Sequence, residues 1–160
     1  MAGELKQVTI YTDGACIGNP GPGGYGVVLL YQNRRKELSG GFCKTTNNRM
    51  EIMAAIVGLE ALRGRCEVML YSDSEYLVKA MSQGWAERWR ANGWKRNKRE
   101  RALNPDLWEK LLQLCEHHEV EFTWVKGHGA SSENARCDEL AAQAAQQPNL
   151  PLDKGYNGIR

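Results

Sequence analysis

Four carboxylates in this chain stand where chemistry could be built from them. Asp13 and Asp73 each close a short run of alternating residues, Val8-Thr9-Ile10-Tyr11-Thr12 and Val68-Met69-Leu70-Tyr71-Ser72. A period of two is the pattern of a strand. If those strands are parallel neighbours, their carboxyl ends set the two acids side by side, where open α/β sheets bind ligands. Glu51 lies one turn into a helical run on the face of Ala54, Ala55 and Gly58, and Asp138 shares a face with Ala141, Ala142 and Ala145. Stripes of small residues let a helix approach a sheet closely, and an acid on such a face is costly without a cation or hydrogen bonds. Four converging carboxylates could not all stay ionised without counter-charge. Hard divalent cations supply it, and the lack of a Cys/His ligand set favours magnesium or manganese over zinc. Each acid also has an ordinary reading. Asp13-Gly14 is a common turn pair, Glu51 could complete a capping box begun by Asn48, Asp73 could cap a helix, and Asp138 could be simple helix polarity. On the residues alone these alternatives stay open.

The elements that must position these acids follow from periodicity and punctuation. A strand ending at Asp13 precedes a loop of turn formers, Gly18-Asn19-Pro20-Gly21-Pro22-Gly23-Gly24. Tyr25–Tyr31 reads as a second strand, Asn33-Arg34 as a tight turn and Arg35–Lys44 as a third strand, an antiparallel meander. Thr45-Thr46-Asn47-Asn48 caps a helix running to Leu62. Strand Glu67–Ser72 follows, in an order that suggests a parallel crossover. A helix over Ser74–Ser82, a second beginning with Trp85 and Trp89, and a third from Pro105 through Leu114 come next. Glu119–Val125 is a final strand, with Val120, Phe122 and Trp124 alternating, and Ser131-Ser132 caps a last helix over Asn134–Gln146. Pro148 and Pro151 then open an irregular tail.

The 160 residues suit one domain, and 42% hydrophobic with 25% charged residues is a globular composition. No run approaches a bilayer span, and the N-terminus has no apolar leader segment. Five scattered cysteines, none in a Cys-x-x-Cys pair, argue for reduced thiols in a cytosol. Net charge is only +2, yet Trp85–Arg101 holds seven basic residues against two acidic ones, with Trp85, Trp89 and Trp94 interleaved. That is a localised anion-binding feature. His117 and His118, at a helix end among charges, read as solvated.

At this point the motifs resemble a known family. Tyr11–Gly26 (Tyr-Thr-Asp-Gly-Ala-Cys-Ile-Gly-Asn-Pro-Gly-Pro-Gly-Gly-Tyr-Gly), Thr45–Glu51 (Thr-Thr-Asn-Asn-Arg-Met-Glu), Ser72-Asp73-Ser74, Val125–His128 and Arg136–Ala141 are similar, in order, to the motifs of bacterial type 1 ribonucleases H. The resemblance implies an α/β ribonuclease H-like fold: a five-stranded mixed sheet, antiparallel meander plus parallel strands, flanked by helices. It implies one catalytic domain over residues 1–147, with a basic protrusion at about 84–101 and an irregular tail at 148–160. It also implies an endoribonuclease that hydrolyses the RNA strand of RNA–DNA hybrids with two Mg2+ ions, Mn2+ serving as a substitute, to give 5′-phosphate and 3′-hydroxyl ends. Asp13, Glu51, Asp73 and Asp138 would hold the metal, and His128, in a glycine-flanked loop, would relay a proton. Cys16, Asn19, Asn47 and Asn48 would meet the hybrid's minor groove, where the 2′-hydroxyl distinguishes RNA. Lys44, Thr46 and Asn104 would form a phosphate pocket for the DNA strand, and Trp85, Arg88 and Lys95 would grip its backbone. A cytoplasmic monomer without membrane association is expected. Two departures from some members are an extra Gly84 before Trp85, expected to alter the bend between helices, and an acidic Glu75 beside Ser-Asp-Ser.

Overall fold

The computed structural model describes residues 5–126 and 132–156. Three strands, β1 (Lys6–Cys16), β2 (Gly21–Tyr31) and β3 (Arg34–Thr45), lead into helix α1 (Asn47–Glu60) and strand β4 (Cys66–Ser72). Helices α2 (Glu75–Ser82), α3 (Trp85–Ala91) and α4 (Pro105–His117) follow, then strand β5 (Glu119–Trp124) and helix α5 (Ser132–Ala145). The sheet order is β3-β2-β1-β4-β5, with β1–β2 and β2–β3 antiparallel and β1–β4 and β4–β5 parallel. The expected five-stranded mixed sheet is therefore present.

The meander is longer than its sequence pattern implies. β1 runs past Asp13 to Cys16, pairing Asp13 with Gly26 and Gly14 with Tyr25, and β2 already begins at Gly21. The expected glycine loop is thus mostly strand. Its glycines serve close approach rather than turning: a Cβ on Gly24 or Gly26 would strike the carbonyl oxygens of Ala141 or Cys137 on α5. The β2–β3 turn falls one residue earlier than expected, at Gln32-Asn33, with Gln32 at φ 54°.

The larger core lies between the sheet and α1, α2 and α4. Ile10, Val27, Ile52, Leu70 and Trp108 are completely buried in it. Gly58 of α1 sits against Ile10 and Val27, 3.0 Å and 3.3 Å from where its Cβ would be, so the expected small-residue face does pack on the sheet. On the opposite side, Val28, Cys137 and Leu140 form a smaller core beneath α5, flanked by Tyr11 and Leu30. All five cysteines are free thiols.

Candidate metal centre and nucleic-acid interface

Parallel pairing sets the register of the site. Tyr11 lies opposite Tyr71 and Thr12 opposite Ser72, where the β1–β4 ladder stops. The two tyrosine rings stack with centroids 5.0 Å apart, and Asp13 and Asp73 come next on their chains. Glu51 reaches them from α1: Gly14 is packed against the Met50–Glu51 backbone, leaving no room for a Cβ. Oxygens of Asp13, Glu51 and Asp73 all lie within 4.8 Å of one another.

Three of the ordinary readings fail in this geometry. Asp13-Gly14 is paired strand, not a turn. Thr46, whose Oγ1 accepts the Arg49 N–H at 3.2 Å, is the N-cap of α1, so Glu51 lies too far into the helix to complete a capping box. Ser74, whose Oγ accepts the Leu77 N–H at 3.1 Å, caps α2 in place of Asp73. Asp138 is exposed on α5 and lies outside the three-acid cluster, although its charge acts on Asp13. His128 lies outside the described residues.

Burial and mutual repulsion load the cluster with electrostatic cost. Burial, then the neighbouring Asp73, pushes the Asp13 carboxyl up to about 7, against the pull of the Gly14 N–H at 2.8 Å. Glu51 is driven well above the ordinary carboxylate range by burial, then by Asp13 and Asp73. Its Oε1 is buried and accepts no hydrogen bond from the described residues. An orphaned carboxylate oxygen among two more carboxylates fits a hard cation with oxygen ligands.

The expected nucleic-acid contacts gather in two places. Asn48, Trp85, Arg88 and Lys95 border one groove of about 910 Å³, floored by Tyr76 and Trp89. Asn48 stands one helical turn before Glu51, which ties this groove to the acids. Around the β1–β2 turn, the Asn19 side chain accepts the Asn47 N–H at 3.0 Å, and the Cys16 thiol lies 3.4 Å from the carbonyls of Gly21 and Thr45. Thr46 is buried as a cap, Lys44 is exposed, and Asn104 takes a left-handed φ of 61° at the start of α4.

Residues 5–146 match the RNase H family. The chain belongs to that family. This ribonuclease H is 68% identical over 150 residues to Ribonuclease H of Desulforamulus reducens, covering 94% of each chain. It is 59% identical over 158 residues to Ribonuclease HI of a Synechocystis species, covering 98% of each. Among solved structures it is similar to a type 1 RNase H with the type 2 active-site motif (TM-score 0.80, 31% identity, 91% of this chain and 74% of that one). It is also similar to LC11-RNase H1 in complex with an RNA/DNA hybrid (TM-score 0.67, 30% identity, 86% and 96%). Bacterial type 1 ribonuclease H is the kind to which it belongs.

Several features of this ribonuclease H refine or correct the reading of its sequence. Arg90, counted with the basic protrusion, is paired to Glu109 at 3.2 Å and Glu116 at 2.8 Å on α4. Trp85, Trp89 and Trp94 are half-buried against the main core, and the first two also line the groove. His118 is not solvated: it is buried, and its Nδ1 accepts the Cys66 N–H at 3.0 Å. Glu75 pairs with Lys79 at 3.1 Å, which offsets the charge it brings beside Asp73. Gly84 makes the bend between α2 and α3 with φ 76°.

Sequence reasoning also missed a buried guanidinium. Arg49 donates to Asp106 and to Asp153, and Thr45 Oγ1 donates to the same Asp153 at 2.6 Å. A signal for Arg49 existed, since it shares helical spacing with the core residues Ile52 and Ile56. Asp153 sits in a segment without periodicity and gave none.

Proposed function

We propose that this ribonuclease H cuts the RNA strand of RNA–DNA hybrids internally, leaving 5′-phosphate and 3′-hydroxyl ends, with two Mg2+ ions held by Asp13, Glu51, Asp73 and Asp138. The observation that carries this reading is the buried Asp13–Glu51–Asp73 cluster with its orphaned Glu51 oxygen. Bound there, divalent ions would activate the attacking water and neutralise charge on the leaving 3′-oxygen, with Mn2+ able to substitute. Asp13, carried by β1, and Asp73, just beyond β4, supply the sheet's half of the ligand set. Glu51 approaches from α1 and contributes a carboxylate shielded from water. Asp138, exposed on α5 with its charge acting on Asp13, would complete the ligand set from the solvent side. His128 would take or give the proton that accompanies exchange of water and product.

Substrate recognition divides along the two contact regions. Cys16, Asn19, Asn47 and Asn48 face the minor groove, where a 2′-hydroxyl marks the RNA strand. Lys44, Thr46 and Asn104 hold a phosphate of the DNA strand, and Trp85, Arg88 and Lys95 grip its backbone. The groove shared by Asn48, Trp85, Arg88 and Lys95 supports one continuous binding surface beside the acids, and the hybrid bound to the LC11 relative supports an RNA–DNA hybrid as its occupant. One catalytic domain spans residues 1–147, with 148–160 as a tail, in a cytoplasmic monomer. Among the described residues no helix is long and apolar enough to cross a membrane.

The test is gel analysis of a strand-labelled RNA–DNA hybrid in Mg2+, with RNA and DNA duplexes as controls. The native chain is expected to cut only the RNA of the hybrid, and Asp13→Asn to lose the activity. An intact hybrid RNA strand, or equal cutting by Asp13→Asn, would overturn the reading.

A further inference from the structure

Trp124 is 46% exposed at the end of β5, although its alternation with Val120 and Phe122 points to a shared, half-buried face. An edge-strand tryptophan that exposes this much surface is held weakly by packing. Its polar handle is engaged instead: indole Nε1 donates to the main-chain carbonyl of Asp73 at 3.2 Å.

Asp73 needs such a tether, because it lies outside the sheet ladders. The β1–β4 register ends at Thr12 and Ser72, and the last main-chain bond at that end of β4 runs from the Val125 N–H to the Ser72 carbonyl at 2.9 Å. On the other side, the Ser74 N–H is held by Ser72 Oγ at 3.0 Å and the Ser74 hydroxyl caps α2. Both neighbours are fixed. The peptide joining Asp73 to Ser74 is therefore held at its N–H by Ser72 Oγ, and its carbonyl is the group the indole holds. Without the indole, the carbonyl side of Asp73 loses its anchor, and a shift of the main chain there would move the Asp73 Cα and the carboxylate it bears relative to Asp13 and Glu51.

We propose that Trp124 is a positioning residue for Asp73, its indole N–H holding the main chain at the residue that bears one carboxylate of the cluster and thereby raising the cluster's affinity for a divalent cation. This rests on the reading of the cluster as a metal centre. Hydrogen bonds that orient ligand residues are worth on the order of tenfold or more in metal affinity.

The experiment measures Mn2+ binding by electron paramagnetic resonance of the free ion, without nucleic acid, and the Mg2+-induced rise in Tm. Trp124→Phe keeps an aromatic ring and loses the donor, whereas Trp124→Gln loses the ring and keeps an N–H donor. Trp124→Phe is expected to weaken Mn2+ binding by on the order of tenfold and to shrink the Mg2+-induced Tm rise. Its Tm in chelator and its KM for hybrid at saturating metal are expected to match the native chain, and Trp124→Gln to recover most of the affinity. Native Mn2+ affinity in Trp124→Phe, equal weakening in both variants, or a change confined to the KM for hybrid would each overturn the proposal. Equal Mn2+ binding by the native chain and Asp13→Asn would instead overturn the metal-centre reading beneath it.

Discussion

Arg49 on α1 and Asp153 in the C-terminal segment are joined twice, Nε to Oδ2 at 2.7 Å and Nη2 to Oδ1 at 3.0 Å, with side chains only 2% and 4% exposed. Removing one partner of a buried pair leaves the other charge uncompensated, at a cost of roughly 3–5 kcal/mol. Asp153→Ala should therefore cost about 3 kcal/mol, near the low end because Asp106 remains. Asp106 has a side chain 42% exposed, so Asp106→Ala should cost about 1 kcal/mol or less. Urea denaturation of the two variants checks the order, and equal losses would contradict it.

The acid cluster predicts a stability that falls with rising pH in chelator. Asp13 and Glu51 have carboxyls raised in the folded state, so between the ordinary carboxylate range and about 7 the native chain holds more protons than the unfolded one. The slope of unfolding free energy with pH is then negative. Asp13→Asn removes part of that repulsion and should raise Tm in chelator at pH 8. Mg2+ should raise the Tm of the native chain much more than that of the variant. Calorimetry with and without Mg2+ reads both effects.

His118 predicts the opposite limb. Burial, with His117 and Arg65 nearby, lowers its affinity for a proton, and protonating Nδ1 would break the bond from the Cys66 N–H. A depressed histidine contributes stability that is present above its unfolded value of about 6.5 and is lost as pH falls through the lower folded value. His118→Gln should be less stable at pH 8 and lose less stability between pH 7 and 5, a difference that Tm measured across pH would show.

Gly26 predicts a loss without any change in polarity. A methyl group there would strike the Cys137 carbonyl oxygen and come within 2.8 Å of the Leu140 Cβ. A helix backbone cannot step aside as a side chain can, so Gly26→Ala should cost on the order of 1–3 kcal/mol. Chemical denaturation is the check.

The basic protrusion predicts two kinds of arginine. Among the described residues Arg88 donates only to the Gln83 carbonyl, at 3.0 Å, whereas Arg90 is engaged by Glu109 and Glu116. Arg88→Ala should weaken hybrid binding and lower the dependence of log affinity on log salt by about one unit, as loss of one phosphate contact does. Arg90→Ala should leave that slope nearly unchanged. Titrations of hybrid over a range of salt separate the two.

Much of this was legible in sequence because it obeyed a period. The alternation of Val8, Ile10 and Thr12 and of Val68, Leu70 and Ser72 located the two central strands, and their parallel pairing set Asp13 beside Asp73. The glycines from Gly21 to Gly24 misled, because glycine serves both turns and close packing, and only the chain that lies against them decides between the two. His118 and Asp153 were illegible for a related reason. Their partners, the Cys66 amide and the Arg49 guanidinium, lie 52 and 104 residues away, and no local pattern reports a distant hydrogen bond.

Gly24 and Gly26 do more than admit a helix. Because the α5 backbone rests on the β2 backbone at these glycines, the height of that helix above β2 is set there by the thickness of the chain itself and not by a side chain between them. Substitutions that swell or shrink the core can accumulate over generations without altering that spacing. Asp138 rides on a gauge that sequence drift cannot easily recalibrate, so the reach between it and Asp13 is heritable as long as those two glycines are.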